Sequence, residues 1–155
     1  MTMHNALIAC TSALSLAAGV ALAQPVTVGM ITTLSGGGAG LGVDVRDGFQ
    51  LALDLAGTDA IHLVVEDDAQ RPEQAVQIAD RMIQSEGADI LTGIIWSNLA
   101  MAVVPLVMAQ DVLYLSPNAG PSALAGAMCH ENFFNAAWQN DMLHEAAGAY
   151  ANELG

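Results

Sequence analysis

Apolar runs of strand length alternate along this chain with stretches whose apolar residues recur every three or four positions. Val26 to Ile31 predicts a first strand. Val43 to Leu55 carries Val43, Phe49, Leu51, Leu53 and Leu55 among polar positions and predicts a helix whose apolar side covers the sheet. Ile61 to Val65 predicts a second strand ended by Glu66-Asp67-Asp68, and Arg71-Pro72 opens the next helix, because proline's missing N–H is no loss in a first turn. Ala75, Ile78, Ala79, Met82 and Ile83 form the buried stripe of that helix, which Gly87 closes. A third strand spans Asp89 to Ile95. The helix after it runs from about Asn98 to Ala109, with Pro105 expected to kink or shorten it. A fourth strand, Val112 to Leu115, breaks at the proline- and glycine-rich loop Ser116 to Pro121. Phe133 to Trp138 reads as extended, and a last helix starts near Asn140. Strands alternating with helices predict an α/β fold with a doubly wound parallel sheet.

Ahead of this pattern lies an uncharged apolar leader, Ala6 to Ala23, ending in Ala21-Leu22-Ala23. Small residues at the −3 and −1 positions predict a signal peptide over residues 1–23, cleaved near Ala23, and a mature chain exported from the cytoplasm. The leader is rich in alanine and interrupted by Thr11, Ser12, Ser15 and Gly19, which argues against a retained membrane anchor. Leu7-Ile8-Ala9-Cys10 spells a lipoprotein box too early in the apolar run to serve as one.

Charge narrows the function classes. The chain has 3 Lys+Arg against 16 Asp+Glu, a formal net charge of −13, and no lysine. Such a chain cannot release counterions from a phosphate backbone, so nucleic acid is excluded as a partner. The acidity reads as a solvated surface. Beyond the leader only Cys129 remains, either a small buried apolar residue or half of a bridge whose partner lies elsewhere. The methionines at 82, 101, 108, 128 and 142 suit gap-filling in a core.

In a parallel α/β sheet ligands bind beyond the carboxyl ends of the strands. Four loops qualify: Ser35 to Gly42, Glu66 to Pro72, Trp96 to Asn98, and Ser116 to Gly120. Their hydroxyls and main-chain N–H groups make a pocket suited to an anion or zwitterion. Catalytic and cofactor signatures fail on inspection. The glycine turn has no G-x-G-x-x-G register, since the third glycine falls on Leu41 or Val43, and a P-loop requires the absent lysine. His144-Glu145 begins a zinc-protease helix, but its second histidine position is Gly148. No serine sits in a G-x-S-x-G elbow. The expectation is no enzyme, no cofactor and no metal site. Trp96 and Trp138 stand where a loop follows a strand and read either as core or rim aromatics or as ligand stackers.

Several segments carry a resemblance: Val28-Gly29-Met30-Ile31-Thr32-Thr33-Leu34-Ser35-Gly36, Val65-Glu66-Asp67-Asp68-Ala69 before Pro72-Glu73-Gln74-Ala75, Thr92-Gly93 leading to Ser97, and Ser116-Pro117-Asn118-Ala119-Gly120. Behind a signal peptide, the set resembles the Leu/Ile/Val-binding family of periplasmic solute-binding proteins, the capture subunits of ABC importers. The resemblance implies the type I periplasmic binding fold, two lobes that close like a hinge, an ABC permease as partner, and a small-molecule ligand that is an amino acid or an aromatic or organic carboxylate. It assigns residues 24–134 to the first lobe, 135–139 to the crossover and 140–155 to the start of a truncated second lobe. The ligand contacts it implies are Ser97, Asn118, Ala119 and Gly120 for the charged groups, with Leu41 on the ligand side chain and Trp96 beside it. The chain departs from the amino-acid binders at Gly120, where a hydroxyl is usual, at Leu41, where an aromatic is usual, and at Gln70 and Trp96, where two cysteines are often bridged. A sensing domain of the same fold in a receptor, and a non-functional fragment, are the rival readings.

Overall fold

A computed structural model describes residues 24–155, so the leader, Cys10 and the expected cleavage near Ala23 lie outside the described residues. Five strands, β1 (Val26–Thr32), β2 (Ile61–Asp67), β3 (Ile90–Thr92), β4 (Leu113–Ser116) and β5 (Phe133–Asn135), form one sheet in the order β2-β1-β3-β4-β5. All four pairings are parallel. Val28 stands opposite Leu63 on one side and Ile90 on the other. The chain order reverses at β1 and β3, the point where such sheets open a crevice at their carboxyl edge.

The helices are α1 (Ala39–Ala56), α2 (Pro72–Gln84), α3 (Ser97–Ala109), α4 (Ser122–Ala125) and α5 (Asn140–Leu154). Alternation along β1 sends Ile31 to the α2–α3 side, where it joins a core of Ala75, Ile78, Ala79, Met82, Leu91, Leu99, Val103, Val104, Val107 and Tyr114. Val28, Met30 and Thr32 point to the other side, where Thr32 meets α1 at Gly42. Each fully buried Leu or Met of this core contributes about 1.5 to 3 kcal/mol by leaving water. The stripe predicted for α2 is the buried one, apart from Ile83, which is half-buried. Met82 fills the core; Met101 and Met108 lie half-buried at its edge, while Met128 and Met142 are exposed.

Several expectations change. Helix α1 begins at Ala39 instead of Val43, so Ala39 to Gly42 belongs to its first turn. Its apolar side does not cover the sheet as a whole, since Leu51 and Leu55 are exposed and Gly42 is the one fully buried residue. Residues two apart on a helix point about 200° apart, so Leu51, Leu53 and Leu55 cannot share a face. Strand β2 runs on through Glu66 and Asp67. Strand β3 stops at Thr92, because Gly93 turns at φ +104°, a conformation few other residues adopt. Helix α3 continues through Pro105, which sits on the exposed side. The extended piece at Phe133 is a strand only to Asn135, and α4 was not foreseen in the loop after Pro121. Cys129 is exposed, not buried.

Candidate functional site

The carboxyl ends of β1 and β2 are strapped together by two neighbouring acids. Asp67 accepts hydrogen bonds through Oδ1 from the N–H groups of Leu34 (2.8 Å) and Ala69 (2.8 Å). Asp68, fully buried, accepts through Oδ1 from the Thr33 hydroxyl (2.7 Å) and the Gln70 N–H (2.9 Å). These bonds hold Ala69 at φ +48° and Gln70 at φ +58°, a left-handed pair that costs roughly 1 to 2 kcal/mol per residue. The turn sets the Gln70 side chain over the glycine turn, against Gly38.

Trp96 precedes α3 as its N-cap and is half-buried. Its indole N–H donates to Thr33 Oγ1 at 3.0 Å, and its six-membered ring lies so close to Gly38 that a Cβ there would collide with it. Ser97 is the first residue of α3, whose start receives no side-chain cap, so its first-turn amides remain open to an acceptor. The Ser97 hydroxyl accepts from Asn140 Nδ2 at 3.0 Å, leaving its own proton free to donate.

The loop after β4 is built on Ser116, whose buried hydroxyl donates to the Ala119 carbonyl. Asn118 is exposed, and its amide donates to the Ile95 carbonyl at 2.8 Å, tying this loop to the one that carries Trp96. Ala119 is buried in the hydrophobic core and Gly120 beneath the segment that follows β5. The Gly120 carbonyl accepts from Asn140 N–H (2.8 Å), and a Cβ at Gly120 would fall within 3.0 Å of both the Trp138 carbonyl and the Asn135 amide. No side chain fits there, so the missing hydroxyl at Gly120 is a packing requirement. Leu41 lies in the first turn of α1 and is 50% exposed, while Gly42 beneath it touches the Thr33 carbonyl too closely for any Cβ.

Leu41, Trp96, Ser97, Asn118, Ala119 and Gly120 all stand at the carboxyl edge of the sheet; the first four reach its open surface, while Ala119 and Gly120 are buried beneath it. A cavity of about 450 Å³ lies elsewhere, beside β2 and α2, lined by Glu66, Arg71, Glu73, Gln74 and Arg81 among others. The sequence reading missed Thr33, Asp68, Gln70 and Asn140. Asp67-Asp68 at a strand end hinted at them, since a carboxylate there suits turn amides, and the paired family positions Gln70 and Trp96 pointed to Gln70. Among the described residues no group of three or more His, Cys, Asp and Glu could hold a metal ion.

Two groups have shifted acidities. Burial works to raise Asp67, but the Ser35 hydroxyl and the N–H groups of Leu34, Ala69 and Ser35 outweigh it and hold its carboxyl below the usual 3.8. Burial pushes the Tyr114 hydroxyl, which has no hydrogen-bond partner, far above its usual value, opposed by the nearby Ile94 backbone and reinforced by the charge of Asp68. Tyr114 therefore stays neutral and stacks on Phe133 at a ring separation of 6.0 Å.

The profile of one family, periplasmic binding protein, matches residues 25–155. Leu/Ile/Val-binding protein homolog 3 of Brucella melitensis is 26% identical over 132 residues, which cover 81% of this chain and 35% of that one. Leu/Ile/Val-binding protein homolog 6 of Brucella abortus is 31% identical, covering 71% of this chain and 30% of its own. The chain thus spans about a third of the length of these relatives. A solute-binding protein of an ABC transporter from Rhodopseudomonas palustris, solved in complex with benzoate, is 32% identical with a TM-score of 0.72 over 75% of this chain and 33% of its own. A leucine-binding protein from Thermotoga maritima shares the fold at a TM-score of 0.76 and 20% identity, over 81% of this chain and 36% of its own. The parallel sheet is that of the type I periplasmic binding fold, and the family is one of binding proteins. The chain belongs to the periplasmic binding protein family, in its Leu/Ile/Val-binding branch.

Proposed function

We propose that residues 24–134 are the first lobe of an extracytoplasmic solute-binding protein that delivers a small carboxylate to an ABC permease, with 135–139 as the crossover and 140–155 as the opening of the second lobe. The observation that carries this reading is the start of α3: uncapped first-turn amides beside a Ser97 hydroxyl whose proton is free. Helix N-termini of this kind favour a carboxylate through their N–H groups and the partial positive charge of the helix dipole. The Rhodopseudomonas relative, similar in sequence as well as fold, holds benzoate, which supports a carboxylate ligand, and the Brucella relatives are named for branched-chain amino acids. Capture in a two-lobed protein works by closure, so this lobe alone binds weakly.

The test is Ser97→Ala in the protein at its natural length, with benzoate and leucine as probes. Loss of a buried hydroxyl against the ligand carboxylate weakens binding by about 1 to 3 kcal/mol. An unchanged dissociation constant for every carboxylate that binds rejects the role of Ser97.

A further inference from the structure

Trp96 is pinned along one edge. Its indole nitrogen is a donor only, so Thr33 Oγ1 must be the acceptor at 3.0 Å. The Thr33 proton is thereby committed to Asp68 Oδ1 at 2.7 Å. The adjoining ring atom Cζ2 lies over Gly38, where a Cβ would clash with both the indole and the Gln70 amide. Two fixed points on one edge stop the ring from turning.

Asp68 is a costly residue to keep in this place. It is 0% exposed, its Oδ2 has no hydrogen-bond partner, and the ion pairs among the described residues involve Arg46 and Arg81 alone. A buried carboxyl without a cation is destabilising unless its hydrogen bonds are needed. The bonds it makes hold the Gln70 turn and direct the Thr33 hydroxyl.

We infer that Thr33 and Asp68 are positioning residues that lock Trp96 as an aromatic wall of the ligand site and bias it toward planar aromatic carboxylates over aliphatic amino acids. This inference rests on the solute-binding reading. Trp96 directly precedes Ser97, so a ring joined straight to a carboxylate held at Ser97 comes within reach of the indole, where offset or edge-to-face aromatic contact is favourable. An amino acid gains less, because Gly120 offers no hydroxyl to its ammonium and Asp68 is sealed from solvent.

The chain has two tryptophans, so the Trp96 indole N–H can be followed by NMR in the 155-residue protein, with millimolar benzoate and millimolar leucine as probes. In the wild type the Trp96 indole proton exchanges slowly and moves with benzoate but not with leucine. Thr33→Val removes that protection and weakens benzoate about tenfold, the loss of one hydrogen bond's worth of positioning, while leucine is unaffected; Thr33→Ser, which keeps the hydroxyl, restores both. An unmoved indole resonance and an unchanged benzoate-to-leucine ratio in Thr33→Val overturn the inference. If benzoate shifts the Ser97 and Asn98 amides but not the Trp96 indole, the inference fails and the solute-binding reading stands. If neither probe shifts any strand-end amide, the solute-binding reading fails, and the aromatic preference with it.

Discussion

Gly120 is the position where a single methyl group has the largest calculable effect on how the segment after β5 is held. A Cβ there would sit inside 3.0 Å of the Trp138 carbonyl oxygen, with Asn135 Nδ2 at 2.9 Å and the Trp138 carbonyl carbon at 3.1 Å, whereas ordinary contact begins at 3.4 Å. The nearest obstacle is backbone, so no rotamer change relieves it, and the segment from Asn135 to Trp138 must move away by about an ångström. Overpacking of this kind costs about 1 to 3 kcal/mol. The displaced segment also carries the bond from Asn140 N–H to the Gly120 carbonyl (2.8 Å) and from Ala136 N–H to the Ser116 carbonyl (2.9 Å), and losing one such bond adds about 1 kcal/mol. Gly120→Ala therefore destabilises by roughly 2 to 4 kcal/mol. With a urea m-value of about 2 kcal/mol/M, the middle of the range for small domains, its unfolding midpoint drops by about 1 to 2 M. Urea unfolding followed by tryptophan emission and far-UV circular dichroism checks it, Trp138 reporting on the displaced segment itself. A Gly120→Ala midpoint within about 0.2 M of the wild type refutes the claim that packing forbids a side chain here. Gly120→Ser should be as destabilised, so restoring the hydroxyl found in amino-acid binders does not restore their site.

Two further outcomes use other parts of the fold. Gly48 lies inside α1 with open space around its Cβ position, so Gly48→Ala stabilises the protein by about 0.5 to 1 kcal/mol in the same urea assay, and a loss of stability contradicts the exposed placement of that face. Asp67 has a folded-state acidity below its usual 3.8, so its contribution is fully present above that value and is lost as pH falls through the lower folded-state value. Asp67→Asn accordingly lowers the melting temperature at neutral pH, and the gap to the wild type narrows in acid below 3.8; an equal gap at both pH values removes Asp67 from the acid response.

The composition and pattern of the chain determined the class of fold, the order of strands and helices, and the loops that gather at the sheet's carboxyl edge, because each depends on which positions along a local period are apolar. The stripe Ala75, Ile78, Ala79, Met82 is an instance: its spacing alone decides which side of the helix is buried. The resemblance of Ser97 and the Asn118–Gly120 loop to a family pattern is the same kind of local reading, and the site it implies is part of the proposal. Only the tertiary structure decided that Leu51 and Leu55 face solvent, that Gly93 ends β3, and that Thr33, Asp68 and Asn140 stand behind Trp96 and Ser97. Thr33 and Trp96 are 63 residues apart, and Ser97 and Asn140 are 43 apart. A hydrogen bond needs its two partners within about 3 Å, and nothing in the periodicity of either segment sets that separation; it follows from the parallel register that brings the ends of β1, β2, β3 and β5 to one edge.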